Sequence, residues 1–194
     1  MNQRGFSLIE LMVVIGILVL VNSIILSNYP EFNRRMALKK TSEEVALIAR
    51  QAQAYSLGVK RSVSGGEIFG FGVHFGKSAL ESKSLILFTD LKSSSNKIYD
   101  AGAGCGKPIT ECFQEFKIDT GDYVSNLQTC NSSSICSSVS TLDVVYPRAS
   151  SIAAISADRI VCGSCSYARV TIKSSKMDKY KIIKIWINGT ITVE

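Results

Sequence analysis

The chain begins with an apolar run of membrane-spanning length that contains one carboxylate. The run covers residues 6–26, and Glu10 is its single charged residue. At 1.5 Å per residue, a helix of this length spans about 31 Å, close to the roughly 30 Å of a bilayer's hydrocarbon core. Placing a carboxylate in such a helix costs roughly 2.5–3.5 kcal/mol. The run therefore predicts a single membrane helix in which Glu10 has a function and a partner.

A signal peptide and a plain membrane anchor are the two other interpretations of this run. A signal peptide has a shorter apolar region, of about 7–15 residues, followed by a cleavage site of small residues. The segment Asn22-Ser23-Ile24 is not such a site. A plain anchor fits the length but gives no reason to keep an acid in lipid. The length and the acid together favour a membrane helix that does more than anchor.

The first eleven residues resemble the leader and mature start of type IV pilins and pseudopilins. The matching segments are Met1-Asn2-Gln3-Arg4-Gly5 and Phe6-Ser7-Leu8-Ile9-Glu10-Leu11. The resemblance implies that a prepilin peptidase removes residues 1–5 by cutting after Gly5, and that the new N-terminal amine of Phe6 is methylated. It also implies that Glu10 pairs with the terminal amine of a neighbouring subunit during assembly. Such a pair neutralises two groups that are each costly alone in lipid.

The resemblance implies a single-pass protein of the bacterial inner membrane with its C-terminal head on the outer, periplasmic or extracytoplasmic, side. The flanking charges favour the opposite orientation, because cytoplasmic flanks usually carry the basic excess. Arg4 alone precedes the apolar run, whereas four basic residues soon follow it: Arg34, Arg35, Lys39 and Lys40. We expect the outer placement, because the cysteines of the head also indicate an oxidising compartment.

All six cysteines lie beyond the membrane helix, at Cys105, Cys112, Cys130, Cys136, Cys162 and Cys165. An even number in such a domain predicts disulfides. Six cysteines allow 15 connectivities, and proximity along the chain favours 105–112, 130–136 and 162–165. Zinc is the alternative, since Cys162-Gly163-Ser164-Cys165 has the spacing of zinc ligands, but the chain has one such close pair. We predict structural disulfides, with no metal and no other cofactor.

We expect the helix to continue past the membrane to about Leu57. Apolar residues recur there at helical spacing, at Phe32, Met36, Val45, Ile48, Ala49, Ala52 and Tyr55. Pro30 predicts a kink or a local loss of helix near residues 26–30, and Gly58 predicts its end. The predicted organisation is a leader (1–5), a helix (6–58, of which 6–26 is transmembrane) and a β-rich head (59–194).

From Gly66 onward the pattern becomes that of β-strands. The predicted strands are 68–75, 84–89, 113–118, 142–146, 152–162 and 167–173. A final hairpin joins 181–187 to 190–193 through a type I′ turn at Asn188-Gly189. The serine-rich stretches 93–95 and 132–140 are predicted as loops. The fold class is therefore α+β: a long N-terminal helix followed by an antiparallel β-sandwich head, as in pilins.

This layout looks like that of the GspH/FimT-type pseudopilins. The features that carry the likeness are the helical run 46–56 and the final strand–turn–strand around Asn188-Gly189. It implies a structural minor pseudopilin, not an enzyme, in a pseudopilus like that of type II secretion, which exports proteins. The implied partners are other pilin subunits, prepilin peptidase, the inner-membrane assembly platform and the lipid bilayer. The cysteine-rich insertion between about 101 and 140 has no counterpart in that group.

Two alternative functions stay open. One is a minor pilin of a type IV pilus, which serves adhesion, motility or DNA uptake. The other is a membrane-tethered β domain that binds a ligand and does not polymerise.

Other chemistry in the head has little support in the sequence. His74 is the single histidine, so no second histidine can complete a triad or a metal site, and we expect a strand residue with one wet face. Asp90, Asn96 and Asp100 are candidate calcium ligands in one loop. Two lysines in that loop oppose a divalent cation, and a solvated turn is the simpler prediction.

Nucleic-acid binding is the last candidate. Basic and aromatic residues that can hold phosphates and stack bases cluster near the C-terminus, at Lys173, Lys176, Lys179, Tyr180, Lys181, Lys184 and Trp186. Residues 62–194 as a whole carry fourteen basic and twelve acidic side chains, a balance of +2. A DNA-binding domain shows a marked basic excess. Nucleic acid is therefore not an expected partner.

Overall fold

The longest element is a 50-residue helix, α1, which runs from Leu8 to Leu57. The computed structural model describes residues 7–58, 67–91, 95–102, 104–107 and 110–194. The helix ends at the predicted glycine, where the backbone N–H of Gly58 donates to the carbonyl oxygen of Ala54 at 2.8 Å. This bond satisfies one of the carbonyl groups that a helix end leaves without a partner.

Pro30 lies inside α1, which is continuous on both sides of it. Of the two predicted effects of Pro30, a local loss of helix near residues 26–30 is therefore wrong, and a kink stays a prediction. Proline removes one backbone donor, but it also fixes φ at about −65°, close to the helical value. The neighbouring turns keep their own hydrogen bonds, so one missing donor does not end the helix.

The chain divides into two compact units, Met1–Ala37 and Leu38–Glu194. In the first unit, the large apolar side chains from Leu8 to Leu26 are 46–77% exposed. By length and composition this helix is able to cross a membrane. An apolar surface of this kind requires a cover of lipid or of other apolar helices.

The described residues of the second unit form eleven strands in two sheets whose paired strands are all antiparallel. The strands are β1 (Ile68–Gly76), β2 (Ser84–Leu91), β3 (Cys112–Lys117), β4 (Tyr123–Cys130), β5 (Cys136–Val139), β6 (Thr141–Pro147), β7 (Ala154–Ala157), β8 (Ile160–Val161), β9 (Tyr167–Lys173), β10 (Tyr180–Trp186) and β11 (Ile191–Val193). Sheet A has the order β3-β2-β1-β6-β7-β8, and sheet B has the order β11-β10-β9-β4-β5. The predicted fold class is confirmed.

Two segments differ from the predicted strand pattern. The predicted loop 132–140 contains β5, which pairs with the unpredicted strand β4. The predicted strand 152–162 is a hairpin instead, because Asp158 and Arg159 have φ of 47° and 66° and turn the chain between β7 and β8. Positive φ at both turn residues is the signature of a type I′ turn. Short polar strands such as β5 lack the apolar alternation that would have indicated them.

The final hairpin has a different turn from the predicted type I′. The backbone N–H of Gly189 donates to the carbonyl oxygen of Trp186 at 2.9 Å, and the N–H of Trp186 donates to the carbonyl oxygen of Thr190 at 2.9 Å. Gly189 has a φ of 85°. This is a three-residue loop that ends in a glycine bulge. The sequence Asn-Gly suits both turns, so the pair alone could not distinguish them.

The core of the second unit lies between the two sheets and under α1. Small residues on one face of the helix, Ala46, Ala49 and Ala52, have no exposed surface, which lets the helix lie close to the sheets. Phe32 and Met36 were predicted to share this face, but they are 59% and 50% exposed. The buried face of α1 thus begins at Leu38, within the second unit.

Two buried polar contacts join α1 to the sheets. Ser56 Oγ donates to the carbonyl oxygen of Tyr146 at 2.6 Å and accepts the backbone N–H of Phe71 at 2.9 Å. Fifteen residues earlier, Thr41 Oγ1 donates to Asp122 Oδ2 at 3.0 Å. Because hydrogen bonds require defined distances and angles, these contacts fix the position of the helix along the head.

We predict that Ser56→Ala lowers the free energy of unfolding of the full-length protein in detergent by about 1–3 kcal/mol. The substitution leaves the buried N–H of Phe71 and carbonyl of Tyr146 without this partner. Urea unfolding followed by the fluorescence of Trp186 measures the change. Ser137→Ala, at an exposed position of β5, is the matched control. Equal effects of the two substitutions would contradict a bridging role for Ser56.

Candidate assembly site

Glu10 lies in the first turn of α1. The carbonyl oxygen of Ser7 accepts the backbone N–H groups of Glu10 and Leu11 at 3.1 and 3.2 Å, so Ser7 precedes the helix as its N-cap. The segment Ser7-Leu8-Ile9-Glu10 has the Ser-x-x-Glu pattern of a capping box. The carboxylate is thus near the positive end of the helix dipole, which favours a negative charge. The capping-box pattern is visible in the sequence, but the sequence analysis did not predict it.

The surroundings of Glu10 within the described chain offer its side chain no partner. Among the described residues, no hydrogen bond or ion pair reaches the carboxylate of Glu10, and the side chains around it are apolar and exposed. Gly5 and Phe6, the predicted cleavage and methylation site, lie outside the described residues. The described residues thus leave the carboxylate of Glu10 without a hydrogen-bonding or charged partner.

Two other polar side chains of the apolar segment are satisfied by the helix itself. Asn22 Nδ2 donates to the carbonyl oxygen of Leu18 at 2.7 Å, and Ser23 Oγ donates to that of Val19 at 2.8 Å. In lipid an unsatisfied polar group costs several kcal/mol. Asn22 and Ser23 therefore have hydrogen-bond acceptors within the helix itself. The carboxylate of Glu10 differs from them because it has no partner among the described residues.

The six cysteines form three disulfides: Cys105–Cys112, Cys130–Cys136 and Cys162–Cys165. These are the pairs that proximity along the chain favoured. Cys130 and Cys136 are direct partners across β4 and β5, so their bond fastens the edge strand of sheet B. The described residues contain no group of three or more histidine, cysteine or acidic side chains arranged to hold a metal ion.

His74 is buried on β1, at 8% exposure. Its Nδ1 lies 2.7 Å from Asp143 Oδ1 on the neighbouring strand β6, and the ring of Tyr99 lies against it at 5.0 Å between centroids. The prediction of one wet face is therefore wrong. The reason is a loop over the outer face of sheet A, whose presence the alternating pattern of β1 does not reveal.

This loop, residues 95–102, is held by buried carboxylates, and we call it the strap. Two backbone N–H groups of the strap donate to buried acids: that of Lys97 to Asp90 Oδ2 at 3.0 Å, and that of Asp100 to Glu111 Oε2 at 2.8 Å. The exposed fractions of Asp90, Asp143 and Glu111 are 0%, 2% and 4%. Side chain to backbone bonds of this kind replace the ladder that a loop lacks.

The predicted calcium ligands are used within the strap and its anchors. Asn96 Oδ1 accepts the N–H of Ile98 at 3.0 Å, and Asn96 Nδ2 donates to Asp100 Oδ2 at 2.9 Å. Asp100 Oδ1 accepts Arg159 at 2.8 Å. The segment is a pinned loop and not the solvated turn that we predicted, because its acids bind backbone N–H groups and an arginine.

Asp90 is the most perturbed of these acids. Burial raises the pKa of its carboxyl from 3.8 to about 7, the hydrogen bond from the Lys97 backbone opposes the rise, and the nearby charges of Glu111 and Asp100 add to it. Burial also raises the pKa of Asp143, while its bond to His74 acts in the opposite direction. The strap is thus fastened by groups whose ionisation depends on the fold.

The basic cluster near the C-terminus does not form one patch. Lys184 and Trp186 share the outer face of β10, where Lys184 is bound to Glu194 at 2.7 Å. The ring of Trp186 lies 4.5 Å from that of Tyr167 between centroids. Lys181 is three positions from Lys184 along β10, so its side chain lies on the other face of the sheet. Several of the groups that would hold a nucleic acid are therefore paired or point apart.

Comparison with known proteins gives one match, at the N-terminus. Residues 1–25 match the family model of the prokaryotic N-terminal methylation motif, a type IV pilin-like signal. No curated protein matches the chain, and no solved structure does. The match indicates a type IV pilin-like subunit, a structural class of protein, and agrees with a single-pass membrane anchor. It ends before the second unit begins.

We predict that Asp90 makes the stability of the protein fall as the pH rises. Because its pKa is about 7 in the fold and 3.8 ordinarily, the folded chain binds the proton more tightly. The stabilisation is complete below about pH 4 and is lost as the pH rises through about 7. We expect the stability of the wild type relative to Asp90→Asn to fall by up to about 4 kcal/mol between pH 4 and 8.

Urea unfolding of both proteins across this pH range measures that difference. Asp119→Asn, at an exposed position, is the control and should follow the wild type at every pH. A difference between wild type and Asp90→Asn that stays constant, or that grows with pH, would contradict the assignment to Asp90.

Proposed function

We propose that this chain is a minor pseudopilin of the GspH/FimT type, a structural subunit of a pseudopilus like that of type II secretion. The observation that carries the proposal is an acid at the start of an otherwise apolar, uncovered helix, within a segment that matches the methylation motif. A helix of this kind needs neighbours. The β-rich head supports the choice of this group among pilin-like proteins.

Cleavage after Gly5 creates the partner that Glu10 lacks. The new amine belongs to Phe6 and, in an assembling filament, pairs with Glu10 of a neighbouring subunit. Each charge is costly in lipid, and their attraction is strong there because the dielectric constant is low. A pair of this kind also fixes how far one subunit sits along the next, because any other register leaves both charges unpaired.

The second part of α1, from Leu38, belongs to the same compact unit as the head. Thr41 binds Asp122 beside β4, Ser56 binds β1 and β6, and the alanines between them bury the face of the helix. Movement of this part of the helix therefore moves the head. This suits a subunit that is pushed outward by growth of a filament from its base.

The proposed surroundings follow from the same features. Prepilin peptidase and an inner-membrane assembly platform process and insert the chain, and other pilin-like subunits and lipid cover residues 8–26. The head lies on the outer side of the inner membrane, where an oxidising environment maintains its three disulfides. We propose no catalytic role and no resident cofactor.

We predict that the native protein begins with N-methylated Phe6. Prepilin peptidase would remove residues 1–5, and Gly5→Val would block this step because the side chain disturbs the cleavage position. Intact-mass and N-terminal peptide mass spectrometry of protein purified from membranes distinguishes the two species. A wild-type chain that begins at Met1, or at an unmethylated Phe6, would contradict the processing.

We predict that Glu10→Ala reduces incorporation into filaments at least tenfold while the amount in the membrane stays unchanged. Removal of the acid leaves the amine of the neighbouring subunit unpaired in lipid. Glu10→Gln tests whether the charge itself is needed. Asn22→Ala, a second polar change in the same helix, is the control. The measurement is the ratio of filament-bound to membrane-bound protein after shearing.

The same strains distinguish the alternatives. Loss of secreted proteins with intact motility and DNA uptake supports the pseudopilus, whereas the reverse pattern supports a minor pilin. Unchanged incorporation of Glu10→Ala would favour a tethered β domain that does not polymerise.

A further inference from the structure

The longest strand at an edge of the two sheets, within the described part of the head, is β3. Four strands end the sheets: β3 and β8 end sheet A, and β5 and β11 end sheet B. β8 has two residues and β5 has four, whereas β3 has six. β11 has three residues, and Arg50 of α1 donates to the carbonyl oxygen of Ile191 at its start, at 3.4 Å. An edge strand with unpaired backbone groups is a template for another strand.

The backbone groups of Glu115 and Lys117 point away from sheet A. Where β3 ends, the N–H of Ile118 donates to the carbonyl oxygen of Lys83 at 2.8 Å, in register with the pairing of β2 and β3. Hydrogen-bonded and non-hydrogen-bonded pairs alternate along two antiparallel strands. Phe116, two residues before Ile118, therefore also directs its backbone groups to β2. The N–H and C=O groups of Glu115 and Lys117 face outward, and none of the described residues hydrogen-bonds to them.

An apolar groove of about 340 Å³ lies beside this edge, between β3 and α1. Its lining includes the buried side chains of Val45, Ile48 and Leu85, together with Leu47 and the half-buried Phe116. Leu47 is 60% exposed. Exposed apolar surface that forms a groove is typical of binding sites. An apolar side chain that enters the groove would cover Leu47 and Phe116 together.

The edge and the groove together fit an extended segment. A strand added to β3 forms hydrogen-bonded pairs with Glu115 and Lys117, and its residue opposite Phe116 lies on the same face as Phe116. That residue enters the groove, because Phe116 lines it. The side chains of Glu115 and Lys117 are exposed and lie on the other face. Opposite charges across a strand pair are stabilising and like charges are destabilising, so the segment needs a base opposite Glu115 and an acid opposite Lys117.

The β3 strand of a second copy has this charge pattern, in Glu115-Phe116-Lys117, but its direction is unsuitable. Thr41, near the start of the buried face of α1, binds Asp122, which follows β3, whereas Tyr55 near the end of α1 contacts Phe113 at the start of β3. This part of α1 and β3 therefore run in opposite directions. Antiparallel pairing of two β3 strands would invert one head, so that its α1 would enter from the side away from the membrane. Two copies anchored in one membrane therefore cannot pair in this way.

We propose that the edge of β3 binds an extended segment of another protein, antiparallel to β3, in which an acid, an apolar residue and a base follow one another from the N-terminal side. The acid lies opposite Lys117, the apolar side chain enters the groove opposite Phe116, and the base lies opposite Glu115. The backbone hydrogen bonds give affinity, and the groove and the two charges give specificity. This recognition goes beyond the assembly role proposed above and does not require it.

The probe is a fluorescent peptide with blocked ends, Thr-Ser-Glu-Phe-Lys-Ser-Thr, and the target is the full-length protein in detergent. Fluorescence anisotropy measures saturable binding. Exchange of the glutamate and the lysine of the peptide should weaken binding about tenfold, because like charges then face each other. N-methylation of the glutamate and lysine nitrogens should abolish binding, since these N–H groups point at β3. N-methylation of the phenylalanine nitrogen should have little effect, because this N–H points away from β3.

A charge exchange in the protein gives the matched test. The double variant Glu115→Lys with Lys117→Glu should prefer the exchanged peptide by about tenfold, a reversal that a general loss of the fold cannot produce. Lys77→Glu, at an exposed position after β1, should keep the wild-type preference.

Four results would overturn the proposal. They are no saturable binding up to about 1 mM peptide, equal binding of the two peptides by the wild type, equal effects of the two N-methylations, and an unchanged preference in the double variant. All four are measured on the purified protein, so they do not depend on filament assembly.

Discussion

A single helix in this protein has to satisfy two environments along one continuous backbone. From Leu8 to Leu26 its apolar side chains face outward on every side, whereas from Leu38 onward one face is buried against two sheets. The backbone bonds are the same in both parts, so the side chains alone decide what each part can contact. Large aliphatic residues suit lipid and neighbouring helices, and alanines suit close approach to a sheet. The rest of the architecture depends on this division.

In the head, buried carboxylates replace the apolar contacts that a short loop cannot supply. Asp90 and Glu111 accept backbone N–H groups of the strap, and bonds of this type are stronger when the acid is ionised. The cost is the desolvation of each acid, which is visible in the raised pKa of Asp90. A network of this kind specifies one position for the strap, because any displacement leaves a buried charge without its partner. In the same fixed position, the ring of Tyr99 on the strap covers His74.

The sequence indicated features that are local and missed those that depend on distant contacts. The end of α1 was predictable because a glycine, a poor helix former, directly follows Leu57, and strands β1, β2, β6 and β9 follow from runs of apolar and β-branched residues. The burial of His74 depends on a loop more than twenty residues away, which no pattern around His74 could reveal. The edge strand β5 has four residues, of which two are serines, and pairing with β4 creates it. The anchors of the strap likewise come from separate elements: Asp90 lies in β2, Glu111 precedes β3, and Arg159 lies in the turn between β7 and β8.

The helix N-terminus and the surrounding lipid have opposite effects on the free energy of the Glu10 carboxylate. The two effects differ in size, and the difference bears on function. An N-terminal position in a helix favours a carboxylate by about 0.3–1 kcal/mol when exposed and by up to about 2 kcal/mol when partly buried. Insertion of the same group into lipid costs roughly 2.5–3.5 kcal/mol. The helix end therefore offsets part of the cost and leaves a remainder that α1 alone does not cover. In the proposed function, the amine of a neighbouring subunit supplies the positive charge that removes this remainder. The residual cost is therefore an argument for the proposed assembly.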